Sequence, residues 1–213
     1  MSLVKQAVLL LLLAVASNTA PDGCEVLKLR MPAKEVDKIF GDWVLVWSIA
    51  DFEIGNSLLY NISSSHIEFR LLPDNKTVTF TERNVYLENK TSCTTYFINM
   101  TRPAESDDPL MMRSDSIKVE KDGVVLPYNE TGEVDFFESC PDCLSILYRS
   151  PSMTRFLLRY RKEGLHRDAE QLKAAQDEYK NQAECLGFKL ERPFIYDGIA
   201  DFCHRKSSPA AES

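Results

Sequence analysis

Cys140-Pro141-Asp142-Cys143 is the tightest cluster of reactive side chains in this sequence. Two cysteines with two residues between them can close a local disulfide, cycle as a redox pair, or hold a soft metal between thiolates. The redox chemistry needs a thiolate at a helix N-terminus in a thioredoxin-like setting, which the neighbouring residues do not supply. Cys24, Cys93, Cys185 and Cys203 bring the total to six, an even number that suggests disulfides, and spacing alone leaves the pairing open. His66, His166 and His204 lack the spacing of a zinc site, and His66 is expected to point outward; neither a metal nor a cofactor is expected. Glycine-rich phosphate loops and a Gly-x-Ser-x-Gly elbow are absent. Glu82 and Glu138 fall in register with apolar positions and could meet a cationic ligand, or lie exposed at strand ends. The chemistry on offer is binding, not catalysis.

The N-terminus sets the compartment in which those cysteines act. Lys5, the apolar run Ala7 to Val15 and the small-residue pattern Ala14-Val15-Ala16 predict a secretory signal peptide over 1–16. That run is shorter than the roughly 20 residues a membrane helix needs. Export into an oxidising fluid favours disulfides over free thiols. Asn-x-Ser/Thr sequons at Asn61, Asn75, Asn89, Asn99 and Asn129 predict a glycosylated, surface-facing stretch. A net charge of −7 leaves no basic patch for phosphates, so neither nucleic acid nor an anionic membrane is an expected partner.

Short strands must position these residues. Apolar and β-branched runs between Pro, Gly, Asn and Asp clusters predict strands over 42–50, 57–60, 65–71, 77–84, 91–99, 115–121, 133–139, 144–149 and 154–161. In His66-Ile67-Glu68-Phe69-Arg70-Leu71, apolar and polar residues alternate, and Val78 and Phe80 alternate with Thr77, Thr79 and Thr81. Such strands bury one face and wet the other. Eight or nine of them at hairpin spacing favour an up-and-down barrel or a sandwich. Leu165, Ala169, Leu172, Gln176, Tyr179, Ala183 and Leu186 step by three and four, predicting one amphipathic helix over about 166–185 that stops at Gly187. A last extended piece follows over 193–197, then a disordered tail over 207–213, leaving 17–206 as one domain.

The order of signal peptide, Gly41-Asp42-Trp43 entering the first strand after Val36, Ile39 and Phe40, a run of strands, one helix and a final extended piece resembles the lipocalins. Further residues carry a likeness to the orosomucoids (alpha-1-acid glycoproteins). These are Pro73-Asp74-Asn75-Lys76-Thr77, Cys93-Thr94-Thr95-Tyr96, the cysteine that ends Tyr179 to Leu186, and Tyr196-Asp197 ahead of Cys203. Within that group the likeness is strongest to the fish branch of tributyltin-binding and saxitoxin- and tetrodotoxin-binding plasma proteins.

The resemblance implies a mainly β fold, an eight-stranded antiparallel up-and-down barrel with one C-terminal flanking α-helix. It implies the pairings Cys24–Cys185 and Cys93–Cys203, whereas Cys140/Cys143 departs from the orosomucoid pattern and reads as a third, local disulfide. Trp43 would plug the closed end, with Arg159 or Arg161 against it. The implied function is a secreted, monomeric plasma carrier for a small hydrophobic or amphiphilic ligand, with organotins and guanidinium toxins as candidates. Expected inward-facing wall residues are Leu45, Trp47, Ile67, Phe69, Val78, Phe80, Phe97, Phe136, Ile146, Tyr148, Phe156 and Leu158. Two alternatives stay open: a prostaglandin-synthase-like lipocalin using a free Cys93, and a glycoprotein acting on immune cells through its glycans.

Overall fold

The computed structural model describes residues 23–203, apart from 129, 152 and 153. The expected signal peptide, the tail, Asn129 and His204 lie outside the described residues. A short helix α1 (Cys24–Leu27) and a 3-10 turn (Ala33–Ile39) lead into β1 (Gly41–Ala50). Helix α2 (Glu53–Tyr60) precedes β2 (Ile62–Leu71), β3 (Thr77–Tyr86), β4 (Asn89–Thr101), β5 (Met111–Lys121) and β6 (Val124–Leu126). Then come β7 (Glu133–Phe137), β8 (Cys143–Arg149), β9 (Arg155–Lys162), helix α3 (Ala169–Cys185) and β10 (Phe194–Ile195).

Strands β1, β2, β3, β4, β5, β7, β8 and β9 pair antiparallel in that order, and β1 pairs with β9 to close the barrel. The short β6 folds back on β5, and β10 adds to β1. Alternation sets the inside: Ile67 opposes Glu82, Phe69 opposes Phe80, and Phe80 opposes Ile98. Gly41 holds φ of 136°, a conformation L side chains rarely adopt, which turns the chain from the 3-10 segment into β1. Trp43 follows it, buried among Val36 and Ile39, and its indole N–H donates to the Ile39 carbonyl at 2.9 Å. The closed end is therefore sealed from within.

Helix α3 starts at Ala169 because Asp168 caps it, accepting from the Gln171 N–H at 3.0 Å. Gly187, at φ 81°, ends its last turn. The helix buries Tyr179, Gln182 and Ala183 against the outer barrel wall, where Val46, Trp47, Ile49, Leu147 and Leu157 form a second apolar cluster. Residues 57–60, expected as a strand, lie in α2 instead. There Gly55 and Leu59, one turn apart, are the buried pair, and the Asn56 side chain accepts from the Ala50 N–H at 3.0 Å. Hydrophobicity alone does not separate one helical turn from a short strand.

All six cysteines are paired: Cys24–Cys185, Cys93–Cys203 and Cys140–Cys143. The first ties α1 to the end of α3, and the second ties β4 to the C-terminal segment.

Candidate functional site

The barrel interior changes character along its axis. Toward the closed end Leu45, Ile67, Phe69, Val78, Phe136 and Ile146 are buried and pack on one another, with Phe69 stacked 4.8 Å from Phe80 and 5.8 Å from Phe136. Farther along, inward positions keep partly accessible surface: Phe80, Glu82, Tyr86, Tyr96, Val134, Tyr148, Phe156 and Leu158 are all half-buried. These half-buried inward side chains lie farther along the barrel from the end that Trp43 seals.

Two of the expected wall residues face the other way. Trp47 packs beneath α3, its ring 6.0 Å from that of Tyr179. The pairing of β1 with β9 slips between Leu45 and Trp47, and this bulge reverses the alternation, so that Leu45 opposes Tyr160 inside while Trp47 opposes Arg159 outside. Phe97 is exposed, with the Lys118 ammonium 5.5 Å above its ring. Tyr96 and Ile98 take the inner positions of β4, opposite Glu82 and Phe80. Thr95-Tyr96-Phe97-Ile98 carries apolar residues of both parities, which is why alternation misplaced it. Trp47→Ala is expected to cost about 3–5 kcal/mol of stability. Phe97→Thr should cost under about 1 kcal/mol. Urea unfolding of the two variants checks both; equal losses would contradict the assignment of faces.

The expected arginine against Trp43 is also corrected. Arg159 opposes Trp47 and Arg161 opposes Val44, so both lie on the outer face, away from the inward Trp43. Arg159 stacks 4.9 Å over Tyr179, and burial pulls its guanidinium down to about 10. Arg161 reaches the Cys140 and Cys143 sulfurs at 3.4 and 3.1 Å.

Glu82 places a carboxyl group on the inner wall, opposite Ile67 and Tyr96. Its carboxylate accepts from the Asn84 amide at 2.8 Å. Burial pushes its carboxyl above the usual carboxylate range, more than that hydrogen bond lowers it, and no cationic side chain among the described residues offsets the burial. Five tyrosines surround it: burial first, with the Glu82 charge adding, raises the phenols of Tyr86, Tyr96, Tyr128, Tyr148 and Tyr160, that of Tyr148 to about 12. The Tyr96 and Tyr128 rings meet edge to face at 6.0 Å. The buried Tyr160 hydroxyl has no hydrogen-bond partner among the described residues. Glu138, the other acidic candidate, is exposed just beyond β7.

Among solved structures, rat epididymal lipocalin 12 superposes with a TM-score of 0.56 over 85% of this chain and 93% of its own, at 13% identity. The siderocalin Ex-FABP superposes with a TM-score of 0.50 over 75% of this chain and 93% of its own, at 8% identity. The fold is that of the lipocalins. No family model matches the chain. Two sequence relatives from Takifugu pardalis, saxitoxin and tetrodotoxin-binding proteins 1 and 2, are 44% and 43% identical over 210 residues, or 97% of this chain. Those residues make up 52% of each relative, so the chain spans about half their length.

Within this lipocalin barrel, sequence alternation places ten of the twelve expected positions on the inner face, namely Leu45, Ile67, Phe69, Val78, Phe80, Phe136, Ile146, Tyr148, Phe156 and Leu158. It missed Tyr86, Tyr96, Tyr128 and Tyr160, which only the barrel's closure brings around Glu82. Of the sequon asparagines, Asn75, Asn89 and Asn99 are exposed and Asn61 is half-buried at the end of α2.

Proposed function

We propose that this chain is a secreted, N-glycosylated, monomeric carrier of the orosomucoid-like group, with 17–206 as its domain. It holds one small amphiphilic cation in the barrel and catalyses no reaction. One observation carries the reading: a carboxylate stands on the inner barrel wall among tyrosines, and among the described residues no side-chain cation neutralises it. A charge held against apolar and aromatic walls is costly unless a countercharge reaches it. A bound cation supplies that countercharge, and tyrosine faces attract it further. Guanidinium toxins have this chemistry, and the Takifugu relatives are named for two of them, saxitoxin and tetrodotoxin. With every cysteine paired, neither a tin-binding thiolate nor a Cys93 nucleophile is on offer, which speaks against an organotin-thiolate site and a Cys93 synthase.

Calorimetric titration with tetrodotoxin and a neutral apolar dye tests the reading, which is abandoned if the protein binds neither. The pH dependence adds a second readout. In the fold Glu82 titrates above its ordinary 4.5, so the charge penalises folding above the raised value and is relieved as pH falls below it. Cation binding runs the other way: it holds where Glu82 is ionised and weakens as pH falls through that raised value, while the guanidinium keeps its charge. Toxin affinity that stays flat from neutral pH down to the ordinary carboxylate range would remove Glu82 from the site.

A further inference from the structure

We propose that Asp42, His66 and Glu163 form a binding site for a zinc-class divalent cation on the outer barrel wall near its closed end. The three ligand atoms lie within 4.8 Å of one another. His66 Nε2 is 3.3 Å from Glu163 Oε2 and 3.9 Å from Asp42 Oδ1. In a tetrahedral zinc site with bonds of about 2.0–2.2 Å, neighbouring ligand atoms stand about 3.3–3.6 Å apart. Two of the three edges are thus already at or near coordination spacing, with small carboxylate rotations left to make.

The backbone holds the three groups in place. Val44 pairs with His66 in the β1–β2 ladder, two pairs along from the Asp42–Glu68 pair, and the Glu163 N–H donates to the Asp42 carbonyl at 2.9 Å. His66 is wholly buried, with the Phe202 ring 6.1 Å from its own. The carboxylates remain open to solvent, Asp42 at 37% and Glu163 at 14% side-chain exposure. The imidazole is therefore a fixed floor, and an ion enters from the carboxylate side with water completing its shell. One imidazole with two carboxylates suits zinc and its first-row neighbours.

Arg70 is the built-in competitor. Its Nη2 lies 2.7 Å from both Asp42 oxygens. This supplies a test that a mere histidine–carboxylate contact cannot pass: removing Arg70 frees Asp42 and should strengthen metal binding.

The experiment titrates zinc chloride into untagged, disulfide-intact protein by calorimetry, with cobalt absorption reporting the ligand set. One zinc per chain is expected. Glu163→Gln and Asp42→Asn should each weaken it by about tenfold or more, and Arg70→Gln should tighten it severalfold. His66→Asn should abolish binding; if that variant fails to fold, the two carboxylate variants decide alone. Absence of zinc binding in the folded wild type overturns the proposal. So does unchanged affinity in both carboxylate variants, or weakened affinity in Arg70→Gln. The site lies outside the cavity, so Glu82→Gln should leave zinc affinity untouched.

Discussion

Replacing Glu82 with glutamine is expected to lower tetrodotoxin affinity by about 30-fold or more and to leave a neutral apolar dye within about twofold. Truncating one partner of a buried, hydrogen-bonded charge pair costs about 2–5 kcal/mol, and 2 kcal/mol corresponds to about 30-fold. The exchange keeps shape and the hydrogen-bonding capacity toward Asn84, so the loss reports charge. The same substitution removes a penalised group, since burial holds the carboxyl above its ordinary value. The unliganded variant should therefore be at least as stable as wild type at neutral pH, with toxin binding that no longer changes on acidification. Calorimetry and urea unfolding at two pH values separate these effects. A variant that kept full toxin affinity would show that the cavity selects its ligand by apolar burial alone.

The second large effect concerns the C-terminal tie. Cys93→Ser with Cys203→Ser is expected to cost about 4–5 kcal/mol of stability in the chain-entropy model, because that bond closes a separation of 110 residues. The pair Cys140→Ser and Cys143→Ser, only three residues apart, should cost less than half as much. Non-reducing denaturant unfolding of the two double variants gives the comparison. Equal losses would mean that native contacts around the sulfurs, rather than loop closure, set the value.

Much of the barrel was legible in the residues. Ile67, Phe69, Val78 and Phe80 alternate cleanly with polar neighbours, and a strand with one wet face has only one way to turn. The helix announced itself through three-and-four spacing, and Gly41-Asp42-Trp43 marked the closed end. Legibility failed where the local signal had two solutions. Apolar residues of both parities in β4 hid that Phe97 faces out. A one-residue bulge in β1, which no composition signals, sent Trp47 under the helix. Residues 57–60 were apolar enough for a strand and short enough for a helical turn.

The candidate sites divide along the same line. The sequence offered Glu82 and Glu138 alike as acids in register with inward apolar positions or exposed at strand ends, since alternation is a local property that two or three neighbours determine. The setting of Glu82 was not local. Tyr86, Tyr96, Tyr128, Tyr148 and Tyr160 come from several strands and the segment after β6, and only closure of β1 on β9 arranges them around one carboxylate. Asp42, His66 and Glu163 carry no metal-binding spacing, because their proximity arises from ladder pairing between β1, β2 and the turn after β9. Local alternation and helical period are written in neighbouring residues; closure, bulge and cross-strand register depend on which distant segments pair, and those decided what surrounds each charge.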